Sequence, residues 1–165
     1  MFNSKREKRI VRGKPSLLVS LGPRLFFIAN AALGIAAVAR ALDYLYLTFL
    51  HEVPKSLFAV EAAAPLWLWA ILLLIGALLM LIGSLDPPRL LSLAYGHAVL
   101  CAVWAMIGTG MFLQAISDDI PGGWRGGLGL LFGIAVMHFL FGFSTFVRWK
   151  ALTELAEHAV VIEKG

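Results

Sequence analysis

The chain contains four long blocks of apolar residues, and these constrain its fold more than any other feature. The blocks cover residues 24–50, 65–85, 90–116 and 126–147 of the 165. A hydrocarbon core about 30 Å thick is crossed by roughly 20 such residues in an α-helix. Hydrophobic residues make up 60% of the chain and charged residues 15%, a balance far from that of a water-soluble domain. The sequence therefore predicts an all-α integral membrane protein, a bundle of four transmembrane helices.

The segments between the blocks contain residues that end or start helices. Pro65 opens the second block at a first-turn position, and Trp67 and Trp69 follow it. Since tryptophan favours the headgroup level, these residues are expected at a membrane surface. Residues 86–89, with two prolines, predict a tight turn that makes the second and third spans antiparallel neighbours. Residues 117–123 predict a polar turn before the fourth span.

Lysine and arginine are distributed unequally between the two sides of the predicted bundle. The side of the termini carries Lys5, Arg6, Lys8, Arg9, Arg12, Lys14, Arg24, Arg89, Arg148, Lys150 and Lys164. The other side carries only Lys55 and Arg125. Because Lys and Arg are enriched in cytoplasmic flanks, and because the number of spans is even, both termini are predicted to lie in the cytoplasm. The expected location is the cytoplasmic (inner) membrane.

The charge pattern also divides the chain into three regions: a basic cytoplasmic segment, residues 1–23; the four-span bundle, residues 24–149; and a cytoplasmic tail, residues 150–165. Anionic lipids attract basic residues beside a membrane, and the expected contacts are Lys5, Arg6, Lys8, Arg9, Arg12 and Lys14. An orientation signal with no further role is the plainer interpretation, and nucleic acid is a weaker alternative partner.

The tail is predicted to be helical and amphipathic. Leu152, Leu155 and Ala156 recur at helical spacing, opposite Glu154 and Glu157. The last span is therefore expected to continue into a cytoplasmic helix that lies on the membrane or pairs with a partner helix.

Arg40, Asp43, His97 and His138 fall well inside the predicted spans, where a charge is costly and suggests a polar site. Arg40 and Asp43 lie three residues apart on one helix face, so they are expected to form an ion pair near the outer interface. His97 and His138 lie on the third and fourth spans, at depths that differ by roughly 6 Å if measured from the predicted helix ends. A site formed by these residues, for a substrate or a proton, is the alternative to neutral packing.

No reaction or cofactor is predicted from the sequence. Two histidines on facing helices could ligate a haem iron, but the depth difference and the lack of a second pair disfavour haem. No set of three or four His, Cys or carboxylate ligands has the spacing of a metal site. Phosphate loops, nucleophile elbows and dinucleotide motifs are missing as well, so an enzyme is not expected. The single cysteine, Cys101, is expected to be a small buried residue.

Small residues predict where helices approach each other closely, because lipid provides no hydrophobic force between them. The candidate positions are Gly129 with Gly133, Gly76 with Gly83, Ala32 with Ala36, and Ala98 with Ala102. They serve either the four-helix core or, where they are spare, association with further copies or other subunits.

In outline the chain resembles the small multi-spanning membrane proteins, many of them called holins, that phages of high-GC bacteria encode near their lysis genes. The resemblance is carried by the short length, the charged start KREKRIVRGK, the Gly-Pro-Arg-Leu-Phe opening of the first helix, and the spans APLWLWAILLLIGALLMLIG and LFGIAVMHFLFGF. It implies a protein that oligomerises in the cytoplasmic membrane and opens lesions. Many holins carry their basic segment at the C-terminus instead, and no functional residue is implied by the likeness.

Two other functions stay open. The chain is also similar in outline to four-helix small membrane proteins of the DoxX-like kind. An accessory subunit of a larger bacterial respiratory or transport complex is the main alternative to a holin. A small transporter or a b-haem redox protein is the third possibility.

Overall fold

The computed structural model describes residues 23–85, 89–118 and 124–163, and within them it is helical without strands. The elements in chain order are α1 (Pro23–Leu50), a 3-10 turn (Lys55–Leu57), α2 (Phe58–Ala63), α3 (Leu66–Ser84), α4 (Leu90–Ser117), α5 (Trp124–Leu128), a π-helical segment (Gly129–Ala135) and α6 (Val136–Glu163). The last three run on as one long helix. The prediction of an all-helical fold with four long apolar helices is confirmed.

Four helices are long and apolar enough to cross a membrane. They cover Leu25–Leu50, Leu66–Ser84, Leu90–Ser117 and Trp124–Ala156. These ranges begin and end close to the predicted blocks, except that the last helix continues without a break into the predicted tail.

The end of α1 is closed by a left-handed residue. His51 has a φ of 57°, the helix-ending conformation that is usually taken by glycine. Its N–H donates to the carbonyl of Thr48, and the N–H of Glu52 donates to that of Leu47, both at 3.2 Å. This Schellman motif satisfies the last carbonyls of α1 and turns the chain back over the bundle.

The sequence did not predict the short helix α2, which lies across one end of the bundle. The indole N–H of Trp69 donates to the carbonyls of Ala64 at 2.8 Å and Val60 at 3.2 Å. A carboxylate oxygen of Glu61 accepts the N–H of Leu66 at 2.6 Å and so caps the start of α3. Trp69 is thus 4% exposed, with its indole N–H bound to the end of α2, and its predicted level at a membrane surface stays a prediction.

The four long helices pack in chain order. Helix α1 packs on α3, α3 on α4, and α4 on α6 and the segments before it. Glycines set the closest approaches, since a Cβ on Gly83 would lie 2.5 Å from the backbone nitrogen of Leu93. A Cβ on Gly127 would lie 2.7 Å from the carbonyl oxygen of Gly108 in the same way. The α3–α4 and α4–α5 contacts therefore depend on missing side chains.

Large apolar side chains fill the centre of the bundle and also cover its outside. Leu73, Leu100 and Ile107 are fully buried, whereas Ile35 is 69% and Phe132 65% exposed. A water-soluble monomer rarely exposes apolar patches of more than a few hundred Å². The exterior is that of a helix bundle surrounded by lipid or by other apolar helices.

The predicted small-residue positions divide into two groups. Gly76 and Gly83 are buried between α3 and α4. Gly129 and Gly133 face outwards, and a Cβ on either would have no atom within 4 Å. The predicted alanines also lie outside the core: Ala32, Ala98 and Ala102 are exposed, and Ala36 is half-buried.

Some predicted features lie outside the described residues. These are the basic residues Lys5, Arg6, Lys8, Arg9, Arg12 and Lys14, the double-proline turn at residues 86–88, and residues 119–123.

Candidate functional site

His97 and His138, the two histidines of the predicted spans, are in direct contact. Nδ1 of His97, on α4, lies 2.9 Å from Nδ1 of His138, on α6, and both residues are fully buried. Their backbones lie at different levels, because a Cβ on Gly142 would lie 2.9 Å from Cβ of His97, and His138 is four residues before Gly142, about 6 Å along α6. The predicted depth difference of roughly 6 Å therefore agrees with the packing, and the two imidazole side chains bridge it.

Asn30 on α1 completes the cluster. Its Oδ1 lies 2.6 Å from Nε2 of His97, and its Nδ2 donates to the carbonyl of Phe26 at 2.7 Å. Asn30 is 4% exposed. The cluster of Asn30, His97 and His138 thus joins three of the four long helices through side chains.

The hydrogen-bond partners assign the ring protons. Since the Asn30 amide nitrogen donates to a carbonyl, Oδ1 is the atom facing His97, and it can only accept. His97 therefore carries its proton on Nε2, and its Nδ1 accepts from the protonated Nδ1 of His138. Nε2 of His138 is left as an unprotonated acceptor, and it is buried with no partner among the described residues.

The surroundings of the cluster are apolar. The His97 ring stacks on Phe141 with centroids 5.7 Å apart, and Phe141 meets Phe26 at 5.6 Å. A Cβ on Gly142 would lie 2.9 Å from Cβ of His97, so this glycine lets α6 approach α4 beside the pair.

The charged residues nearest to the histidine cluster along its three helices are basic. Arg24 stands six residues before Asn30, about 9 Å along α1, and Arg89 stands eight residues before His97, about 12 Å. Helices α3 and α4 themselves contain no Asp, Glu, Lys or Arg. A protonated pair would therefore be an uncompensated cation among apolar helices, which is costly. Both rings are therefore neutral.

As it stands, the neutral cluster can hold α1, α4 and α6 together and present one unprotonated nitrogen. Direct contact leaves no space for a porphyrin between the rings, so the haem arrangement considered from the sequence requires the rings to separate. Within the described ranges, no three His, Cys, Asp or Glu side chains converge as metal ligands.

Arg40 and Asp43 form a separate feature. The guanidinium lies 3.0 Å from the carboxylate, and the two side chains are 36% and 46% exposed. The guanidinium also lies 5.6 Å from the ring centre of Tyr44. The ion pair has the three-residue spacing read from the sequence, but it does not join the histidine pair in one site.

A groove of about 750 Å³ runs between α1 and α3 on the outer surface of the bundle. Its polar lining consists of Asn30 and Ser84, which lie at the same end. The apolar lining is Phe27, Ala31, Gly34, Ile35, Val38, Ala39, Leu42, Leu74, Ala77, Leu78, Met80 and Leu81. Asn30 therefore belongs both to the wall of the groove and to the histidine cluster.

Sequence reasoning missed Asn30, Tyr44 and Trp104 as buried polar residues. The Tyr44 hydroxyl and the Trp104 indole nitrogen are buried without a partner in the described part of the chain. A usable signal existed for Asn30, since an amide seven residues into an apolar span must find a partner in the bundle.

The chain was compared with protein-family models, curated protein sequences and solved structures, and none of them matched it.

Proposed function

We propose that the protein is a multi-pass protein of the cytoplasmic membrane with both termini in the cytoplasm, and that it serves as a subunit of a larger membrane assembly. The membrane location is supported by the four long apolar helices and their apolar exterior. The orientation is supported by the excess of Lys and Arg on the side of the termini.

Assembly is supported above all by Gly129 and Gly133. They lie about one turn apart, face outwards, and have open space where a Cβ would stand. Helices in lipid associate through such small-residue faces, because the backbones can approach closely there. The bundle itself uses other glycines for its internal contacts, and no residue of the described ranges covers this face.

The packing order supports the same proposal. Only 17% of the most apolar stretch of α1 is buried, against 44% for α3. Helix α1 therefore presents most of its surface to its surroundings. Its exposed side includes the Arg40–Asp43 pair, whose charges a protein partner can cover better than lipid tails can.

Purification of the full chain in a mild detergent tests the assembly. The expected particle is larger than one 18.0 kDa chain, either through further copies or through stoichiometric partners identified by mass spectrometry. Gly133→Leu is expected to shift the particle towards the single chain. Gly34→Leu is the matched control, because it also enters open space but faces the groove. A lone monomer at all detergent concentrations, with the variant unchanged, contradicts the proposal.

A holin is the second candidate, in which the assembly consists of copies of this chain. The outward Gly129 and Gly133 face favours it, since self-association must precede a lesion. The placement of polar groups opposes it. Asn30, His97 and His138 are buried inside each bundle, and the outer helix surfaces are mainly apolar, so bundles assembled without rearrangement would not line a water-filled opening.

Membrane potential separates the two candidates. For a subunit, expression of the chain alone leaves the potential unchanged. For a holin, the potential collapses at a defined time, and Gly133→Leu delays or abolishes the collapse. Comparison at equal amounts of membrane-inserted protein excludes an effect of expression level.

A further inference from the structure

The groove between α1 and α3 is distinct from the remaining outer surface because it is concave and has one polar end. Small residues make it deep, since Ala31, Gly34, Ala39 and Ala77 leave space that larger side chains would fill. A Cβ on Gly34 would have no atom within 4 Å.

The length and lining of the groove suit a flexible hydrocarbon chain. From Phe27 to Leu42 it follows α1 for fifteen residues, about 22 Å. Its volume is about 750 Å³ and its wall is apolar over most of this length, so extended acyl chains can lie along it. A helix of a second copy resting on the groove is the alternative occupant, and labelling of the groove by an acyl-chain probe distinguishes the two.

The polarity along the groove matches that of a lipid. Asn30 and Ser84 lie near the start of α1 and the end of α3, and the opposite end, at Leu42 and Leu74, is apolar. One N–H of the Asn30 amide and the Ser84 oxygen lone pairs remain available, since the known bonds go from Asn30 to Phe26 and from Ser84 to Met80.

The charge at the polar end favours an anionic headgroup. In the sequence, Arg24 stands in the first turn of α1, and the exposed Arg89 directly precedes α4. One acidic residue, Asp86, stands between α3 and α4, so basic residues outnumber acidic ones at this end of the helices. Basic residues near a membrane surface attract anionic lipids. An anionic phospholipid therefore matches both the basic end of the groove, through its headgroup, and the apolar remainder, through its acyl chains.

We infer that the α1–α3 groove binds an anionic phospholipid, with its acyl chains along the groove and its headgroup at the cytoplasmic end near Asn30 and Ser84. This rests on the proposed membrane location. It makes the lipid a bound component of the protein, in contact with the residue that also orients the histidine pair.

Photolabelling of the full chain in vesicles tests this inference. The vesicles contain phosphatidylcholine and phosphatidylglycerol, with a trace of phosphatidylglycerol that carries a diazirine in its acyl chain. The expected label, mapped by mass spectrometry, is enriched severalfold at groove residues such as Val38 and Leu78 over Met106 and Leu113, two exposed apolar residues of α4 outside the groove. Unlabelled phosphatidylglycerol is expected to compete better than phosphatidylcholine.

Gly34→Phe is the decisive variant, because a Cβ at this position enters open space and the ring extends from it into the groove. It is expected to lower groove labelling severalfold at an unchanged unfolding temperature. Thr109→Phe, the control, adds a ring at an exposed position of α4 outside the groove and is expected to leave groove labelling unchanged.

Uniform labelling of all lipid-facing residues, or groove labelling unaffected by Gly34→Phe, overturns the lipid site while the membrane location stands. Equal competition by phosphatidylcholine overturns the anionic headgroup. A chain that is not labelled anywhere and leaves the vesicles on washing contradicts the proposed function itself.

Discussion

Replacing Asn30 with leucine removes the acceptor that fixes the proton of His97. The two side chains have the same number of heavy atoms, and the adjoining groove leaves space for the bulkier methyl groups of leucine. Two hydrogen bonds are lost, the 2.6 Å bond with His97 and the 2.7 Å bond to Phe26. The second costs little, because the carbonyl of Phe26 still accepts its helix hydrogen bond.

The expected loss of stability therefore comes mainly from one buried bond between helices. Such bonds in membrane proteins contribute about 0.6 kcal/mol on average and up to about 1.7. A cost near 1 kcal/mol corresponds to about a fivefold shift in the unfolding equilibrium. Thr145→Val is the control, because the buried Thr145 hydroxyl donates only to Phe141 within its own helix, and its loss is expected to cost less.

Nitrogen NMR of the histidine rings supplies the second readout. In the natural protein, Nε2 of His97 and Nδ1 of His138 are expected to be protonated, and the other two nitrogens are not. Without Asn30, the proton of His97 can move to Nδ1 when that of His138 moves to Nε2, because two protonated Nδ1 atoms cannot share one hydrogen bond. Both tautomers of each ring are therefore expected in the variant. An unchanged His97 spectrum together with a stability loss below about 0.3 kcal/mol refutes the assigned hydrogen bonds, since even an average bond is expected to contribute more.

Three further substitutions test the packing and the ends of the helices. Gly83→Ala places a Cβ 2.5 Å from the α4 backbone and is expected to lower the free energy of unfolding by about 1–3 kcal/mol. Gly133→Ala, which enters open space, is expected to leave it unchanged. Thermal unfolding in detergent compares the two variants, and equal losses of stability contradict the described packing of α3 on α4. Glu61→Ala removes the carboxylate that caps α3 and is expected to cost about 1 kcal/mol in the same assay, with Glu61→Gln losing less. Asp43→Leu leaves Arg40 without its counter-charge and is expected to reduce the insertion of α1 in a translocation assay. Leucine at both positions is expected to restore insertion. Equal insertion of the single and double variants excludes a role for the ion pair.

The long helices were predictable because the length and composition of an apolar block follow directly from the thickness of a bilayer. The ion pair of Arg40 and Asp43 was predictable because it depends on the geometry of one helix alone. Features that depend on how helices rotate against each other were not. The outward direction of Gly129 and Gly133 is one example, since the π-helical segment changes the rotation that regular α-helical spacing implies.

The histidine cluster shows the same limit. Both histidines were singled out as polar residues in spans, but their contact depends on the relative shift of α4 and α6. Gly142 sets that approach by lacking a side chain next to His97. The apolar surroundings of Asn30 could have marked it as a buried amide, but its partner lies 67 residues away and no local pattern identifies it.

The placement of the four apolar helices in a bilayer, with both termini in the cytoplasm, is tested most directly by paired reporter fusions. One reporter follows Gly165, and the other is inserted in the loop between α1 and α2. The expected result is a membrane-bound chain that resists alkaline carbonate extraction, with the C-terminal reporter active in the cytoplasm and the loop reporter active outside it. Release of the chain by carbonate, or the two reporters on the same side, would contradict the four-span arrangement.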